Sequence, residues 1–365
     1  MPAPVSSRFP DFPWDTILDA KAAAGAHPSG IVDLSVGTPV DDTPRIAQDA
    51  LRAASNSPGY PTVLGPESLR QAAVDWLDRR FAITGVTPDA VLPTVGSKEL
   101  IGNLPMQLGF GPGDTVAFPS LAYPTYEVGA RYAGCTPVAA DSTVAFGPSA
   151  PQLLYLNSPA NPHGQVLGAD HLRKVVEWCR ERGTLLVSDE CYLEFVWEGE
   201  PASILHPEIN GGSLDGLLAV HSLSKRSNLA GYRDAFVVGD RGIVAELLTL
   251  RKHLGFMLPR PVAVAMEAAL GDDAHVDEQR ARYAARRGVL RAALEGAGFE
   301  ISHSEGSLYL WATRGESCRS TVEWLAERGI LVAPGDFYGP AGGQHVRVAF
   351  TATDERVAAA AERLA

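Results

Sequence analysis

Long apolar runs are missing from this 365-residue chain, and with them any stretch of about 18 apolar residues able to cross a bilayer as a helix. A basic excess is missing too: 31 Lys plus Arg face 43 Asp plus Glu, for a formal charge of −12. Nucleic-acid surfaces need clustered Lys and Arg to displace counterions, so this balance argues against such a partner. Cysteine is scarce. Cys135, Cys179, Cys191 and Cys318 form no C-x-x-C pair and have no histidine at zinc-ligand spacing, which predicts reduced, mostly buried thiols and no metal. The opening Met1-Pro2-Ala3-Pro4-Val5-Ser6-Ser7-Arg8 lacks a basic-then-apolar leader pattern, giving the expectation of a cytoplasmic protein. There is no G-x-x-x-x-G-K-S/T, no H-E-x-x-H and no G-x-S-x-G, which sets aside the commonest nucleotide-loop, metalloprotease and serine-hydrolase readings. Internal repeats, low-complexity linkers and blocks of five like charges are absent as well.

What is present reads as a soluble enzyme of about two domains, with 45% hydrophobic and 20% charged residues. From about 45 to 260, β-rich runs alternate with helical segments. The candidate strands are Ala90 to Val95, Asp114 to Ser120, Thr136 to Asp141, Leu153 to Pro159, Leu185 to Glu190, Leu217 to Ser224 and Asp234 to Gly239. Several are apolar almost throughout, as expected of strands covered on both faces. Between two of them, Leu172, Val175, Val176 and Cys179 fall at i, i+3, i+4, i+7, one face of a helix. Such alternation predicts an α/β fold with a mostly parallel sheet between helices. The flanks differ: a Pro- and Gly-rich segment with a helical stretch near Trp14 to Ala26 comes first. After 270 come helices over Val276 to Glu295 and Ser320 to Arg328, strands at Leu308 to Trp311, Ile330 to Ala333 and Val346 to Phe350, and a closing helix Asp354 to Leu364. The predicted division is a large domain over 45–265 and a small α+β domain from 1–44 and 266–365.

Ligands of such sheets gather at the carboxyl ends of strands, and four clusters lie there. Ser222-Leu223-Ser224-Lys225 precedes Gly231-Tyr232-Arg233. A lysine buried at a strand end loses its proton readily and can form a Schiff base with an aldehyde, while two hydroxyls and an arginine nearby offer a phosphate seat. Taken alone, the same string also describes a solvated loop lysine. Leu185 to Tyr192 ends an apolar strand on Asp189, a carboxylate placed to pair with a protonated ring nitrogen or simply to cap a helix. Asn157 to Gly164 holds Asn161 in a Pro-fixed loop, as a hydrogen-bond donor or an ordinary Asn-Pro turn. Gly96-Ser97-Lys98 stands where a strand gives way to a helix, and backbone N–H groups there suit a phosphate. His163 and His221 read as surface or structural residues.

In this order along one α/β unit, the four clusters resemble the fold-type I pyridoxal-phosphate enzymes, specifically the class I/II aminotransferases of the aspartate aminotransferase family, over essentially the whole chain. The resemblance implies that Lys225 holds pyridoxal 5'-phosphate and shuttles the proton. It implies that Asp189 pairs with the ring nitrogen, that Asn161 and Tyr192 bond the phenolic oxygen, and that Gly96, Ser97, Lys98, Ser222 and Arg233 seat the phosphate. Tyr123 matches the aromatic that stacks on the ring. Arg347, in Val346-Arg347-Val348, matches the clamp for the substrate α-carboxylate, with Asn161 beside it, and Gly37 the glycine that admits substrate to the backbone. Tyr60, in Gly59-Tyr60-Pro61, matches the tyrosine that reaches the phosphate of the neighbouring subunit, which implies a homodimer with shared active sites.

Phe12-Pro13-Trp14-Asp15, Asp33 to Asp41 and Val95 to Leu100 look like the actinobacterial N-succinyldiaminopimelate aminotransferases of lysine and diaminopimelate biosynthesis. The implied reaction is ping-pong between glutamate/2-oxoglutarate and a succinylated diaminopimelate. Such a long substrate ends in a carboxylate, for which Lys98, Arg226, Arg251 and Lys252 are the candidate cations. The same scaffold also serves aspartate, aromatic and LL-diaminopimelate aminotransferases, C–S lyases and non-catalytic pyridoxal-phosphate-binding regulators.

Overall fold

Thirteen strands can be named in the computed structural model, which describes residues 4–147 and 149–365; Met1 to Ala3, where the leader reading begins, and Pro148 lie outside it. They are β1 (Val32–Asp33), β2 (Val91–Thr94), β3 (Thr115–Phe118), β4 (Thr136–Ala139), β5 (Leu153–Asn157), β6 (Leu185–Asp189), β7 (Leu217–Ser222), β8 (Ala235–Gly239), β9 (Glu300–Ser302), β10 (Tyr309–Thr313), β11 (Ile330–Leu331), β12 (Ala333–Pro334) and β13 (Val346–Ala349). The seven strands from β2 to β8 form one sheet in the order β2-β8-β7-β6-β5-β3-β4. Only β8 runs against its neighbours β2 and β7; every other pairing is parallel. All seven fall inside the runs read from the sequence. Strands β5 to β8 are buried at every residue, because helices cover both faces. On one face Leu172, Val175, Val176 and Cys179 of the helix Ala169–Arg182 pack in the same cluster as Leu154, Leu156 and Leu186. On the other, Leu100, Ile101 and Leu104 of the helix Ser97–Gln107 pack with Tyr155, Val187 and Val220.

A second, antiparallel sheet has the order β12-β13-β10-β9, covered by the helix Ala274–Gly296 and the helix Asp354–Leu364. The N-terminal segment joins this side: β1 pairs in parallel with β11.

Two local expectations change. Leu223 and Ser224 do not continue β7, because the Ser222 side chain accepts a hydrogen bond from the Ser224 N–H at 3.1 Å and caps a short helix, Leu223–Arg226. The single strand expected over Ile330 to Ala333 is two, β11 and β12, which pair with β1 and β13 respectively. The helix Arg260–Leu270 runs across position 265 and packs on the helices Arg45–Ala53 and Glu67–Phe81. Among the described residues no helix is long and apolar enough to cross a membrane.

Candidate active site

Register does the first positioning. Asn157 of β5 lies opposite Asp189 of β6, and Ser222 ends β7, so three polar side chains reach one carboxyl edge of the sheet. They border a cavity of 660 Å³ with Gly37, Ser97, Lys98, Tyr123, Asn161, Tyr192, Lys225, Arg233 and Arg347. Eleven of the thirteen site residues read from the sequence therefore line one cavity. Gly96 lies just behind it, and Tyr60 stands apart.

Lys225 sits on the helical turn after β7, partly buried, and its Nζ donates to the carbonyl of Gly37. Burial holds its amine below the ordinary lysine range. Opposite it, Asp189 is 6% exposed. It accepts from the Tyr126 hydroxyl at 2.8 Å and from the Cys191 N–H at 3.2 Å. Burial raises its carboxyl above the ordinary value, with those two donors pulling the other way. Tyr123 lines the same space; burial pushes its phenol up to about 12. The Asn157 amide donates to the Asp189 carbonyl at 2.9 Å, and its oxygen accepts from the Asn161 N–H at 2.7 Å. The loop is thereby pinned.

Gly96 precedes the helix Ser97–Gln107 with φ of +86°, a left-handed conformation that a side chain disfavours. A Cβ there would also run into the Arg233 guanidinium. Arg233 itself is left-handed, φ +58°, a strained state for a non-glycine residue; its Nη1 donates to the Ala230 carbonyl at 2.8 Å. The helix start, Ser222, Ser224 and this arginine make a compact cationic seat with spare donors, suited to a phosphate.

Arg347, on β13, is 3% exposed. It donates to the Asn161 side-chain oxygen at 2.8 Å and the Ser35 carbonyl at 2.7 Å, with its Nε left unpartnered. A buried guanidinium of this kind is poised for an anion. The other cation candidates separate cleanly. Arg226 pairs with buried Glu194 at 3.3 Å, Arg251 pairs with Glu99 at 2.8 Å, and Lys252 is exposed away from the cavity. Lys98 alone of the four reaches the rim, its ammonium 5.9 Å from the Phe12 ring centroid. Tyr60 is 98% exposed and touches no part of this cavity.

Trp14, Cys191, Ser224 and Tyr309 also line the cavity, and Tyr126 holds Asp189 from behind. Of these, only Ser224, one of the two hydroxyls of the Ser222-Leu223-Ser224-Lys225 cluster, was singled out from the sequence as a possible phosphate contact. The strand at Leu308 to Trp311 was visible, but not that Tyr309 would pair with Ala349 of β13 and reach Gly37. Trp14 belongs to a segment whose position depends on packing against Phe337, 5.3 Å between ring centroids.

A family model for aminotransferase class I and II matches residues 29–364. Among curated proteins, a probable aminotransferase of Mycobacterium tuberculosis, Rv1178, is 63% identical over 99% of this chain and 86% of its own length. The 4-dedimethylamino-4-oxo-anhydrotetracycline transaminase OxyQ of Streptomyces rimosus is 59% identical, covering 98% of this chain and 99% of that protein. Among solved structures, an aminotransferase from Neisseria meningitidis superimposes with a TM-score of 0.88 at 28% identity, over 99% of this chain and 98% of that one.

Proposed function

The chain belongs to the class I and II aminotransferases, enzymes that use pyridoxal 5'-phosphate, and from that premise we propose that it transfers the amino group of glutamate to an N-succinylated 2-amino-6-oxopimelate, as in diaminopimelate and lysine biosynthesis. The observation that carries the finer reading is Lys98: an ammonium left at the cavity rim when the other three lining cations have work deeper in. The likeness of Phe12 to Asp15, Asp33 to Asp41 and Val95 to Leu100 to that subgroup supports it.

The residues present fit the cofactor. A buried acid at the strand end, Asp189, matches a protonated ring nitrogen; the Gly96 turn, the backbone of Ser97 and Lys98, Ser222 and Arg233 match a phosphate; Tyr123 matches a ring face; Asn161 and Tyr192 match a ring oxygen. Bound, the group supplies an aldehyde to take the amino group and an electron sink for the α-carbon. Lys225 Nζ, its amine brought below the ordinary lysine range by burial, would remove the α-proton and return it. Arg347 clamps the α-carboxylate, exchanging its present bond to Asn161 for the substrate. Gly37, whose missing side chain leaves room for Tyr309, offers its backbone to the substrate beside Lys225. The two half-reactions use the same groups in turn, a ping-pong scheme. Tyr60, exposed on this chain, is assigned to the phosphate of a second copy, making a homodimer with shared sites. The division into a large domain over 45–265 and a small domain from 1–44 and 266–365 enters this reading unchanged.

The test is a coupled assay with N-succinyl-LL-diaminopimelate as donor and 2-oxoglutarate as acceptor. Turnover is expected, and Lys98→Gln is expected to raise KM for the succinylated substrate about tenfold, more than for glutamate, on loss of one charge-assisted contact. No turnover with this substrate would overturn the assignment. The 59% identity to OxyQ favours a second reading, amination of a bulky cyclic ketone; the same assay run with an oxo-anhydrotetracycline separates the two.

A further inference from the structure

Tyr309 opens β10, 2% exposed, and three site groups meet on it. Its hydroxyl oxygen lies 2.8 Å from that of Tyr192, with the two rings edge to face at 5.7 Å. The guanidinium carbon of Arg347 stands 3.9 Å from its ring centroid. Its hydroxyl also occupies the space that a Cβ on Gly37 would take, beside the carbonyl that holds Lys225. The strand pairing fixes this placement: Tyr309 faces Ala349 and Trp311 faces Arg347 across the β10–β13 ladder.

Two phenols at 2.8 Å share one hydrogen bond, for which either hydroxyl can supply the proton. Burial raises both. For Tyr309 the charges of Arg347 and Lys225 outweigh burial and bring it below the ordinary phenol value. Tyr192 is driven well above it, by burial first. Each phenol carries one proton, so with Tyr192 donating to the ring oxygen the shared hydrogen bond is donated by Tyr309. Tyr192 lines the cavity, and among the described residues its hydroxyl bonds no other side chain.

We propose that Tyr309 is a positioning residue for the reaction: its hydroxyl donates to Tyr192 and so aims the Tyr192 proton at the ring oxygen of the cofactor, while its ring carries Arg347. The inference rests on the proposed placement of Tyr192 at that oxygen. A chain of two hydrogen bonds polarises along its length, so Tyr309 strengthens a bond it does not itself make. The hydrogen bond from Tyr192 favours the deprotonated form of the ring oxygen's system, and removing the support weakens it.

The experiment is a pH titration of the visible absorption of the holoenzyme, in Tyr309→Phe, Tyr192→Phe and the double variant. Tyr309→Phe is expected to move the midpoint upward by about half a pH unit, about threefold in the protonation ratio. Tyr192→Phe should move it further in the same direction, and the double variant should match Tyr192→Phe alone. Because the phenylalanine ring still supports Arg347, KM for glutamate should stay within about twofold in Tyr309→Phe while kcat falls several-fold; Tyr309→Leu, which removes the ring, should raise KM as well. A midpoint that moves in Tyr192→Phe but not in Tyr309→Phe overturns the role of Tyr309 and leaves the site reading intact. Equal shifts from Tyr309→Phe in both backgrounds also overturn it. Midpoints unmoved in every variant overturn the placement of Tyr192 and the proposal with it.

Discussion

Burial drives Lys225 and Asp189 in the same direction in terms of charge, toward neutrality: the amine loses its proton more easily and the carboxyl holds its own more tightly. A cationic heterocycle between them would reverse the effect on Asp189, since an opposite charge in contact favours the carboxylate. In the cofactor-free protein Lys225 should therefore be labelled by an amine-directed reagent at lower pH than a free lysine derivative in the same solution, as peptide mass spectrometry against pH would show; a labelling midpoint equal to that of the free derivative would contradict the depressed amine. Arg347 is held in place before any carboxylate arrives, so its loss should act on binding. Arg347→Ala is expected to raise KM for glutamate on the order of a hundredfold, about 2–3 kcal/mol for truncating a buried charge partner, and steady-state kinetics would show whether the change falls on KM as expected.

Helices and strands show where the sequence was readable. The apolar runs that became β5 to β8 announced themselves because both faces are covered, and the helix Ala169–Arg182 did so through its four-residue face. Asn157, Asp189 and Ser222 were legible for a related reason: polar residues at the ends of such runs. Leu223 and Ser224 were misread because a capping hydroxyl, not hydropathy, decides where β7 stops. Tyr309 and Trp14 were not legible as site residues, since only the pairing of β10 with β13 and the packing of the first segment on Phe337 bring them in. One long-range tie between elements belongs here. Arg286, on the helix Ala274–Gly296, bonds both oxygens of Asp41 at 2.6 and 2.7 Å, and although burial opposes it, Arg286 holds the Asp41 carboxyl below its ordinary value. A depressed acid adds stability that is fully present above its unfolded value, near 3.9, and is lost as pH falls through the folded one. Asp41→Asn should thus lower Tm at pH 7, and the gap from the parent should narrow below about pH 4; a gap that stays constant down to pH 2 would speak against the ion pair.

At the scale of the molecule, Tyr60 presents its side chain to solvent while its proposed task lies in a second subunit. Mixed dimers test this directly. Tyr60→Ala and Lys225→Ala, each impaired alone, should regain activity when co-expressed, because the heterodimer then carries one site with neither substitution; no gain over the parents would show that each chain serves its own site. The acidic exterior, at −12 overall, surrounds a cavity lined by Lys98, Lys225, Arg233 and Arg347. Trp14 adds to the lining of this cavity, with Phe12 near Lys98, from a stretch built of two short 3-10 turns, Val5–Arg8 and Pro13–Ile17. That has a bearing on how the protein is handled at the bench: a truncation that trims the chain past Trp14 removes part of the cavity wall, so shortened versions should retain Phe12 and Trp14.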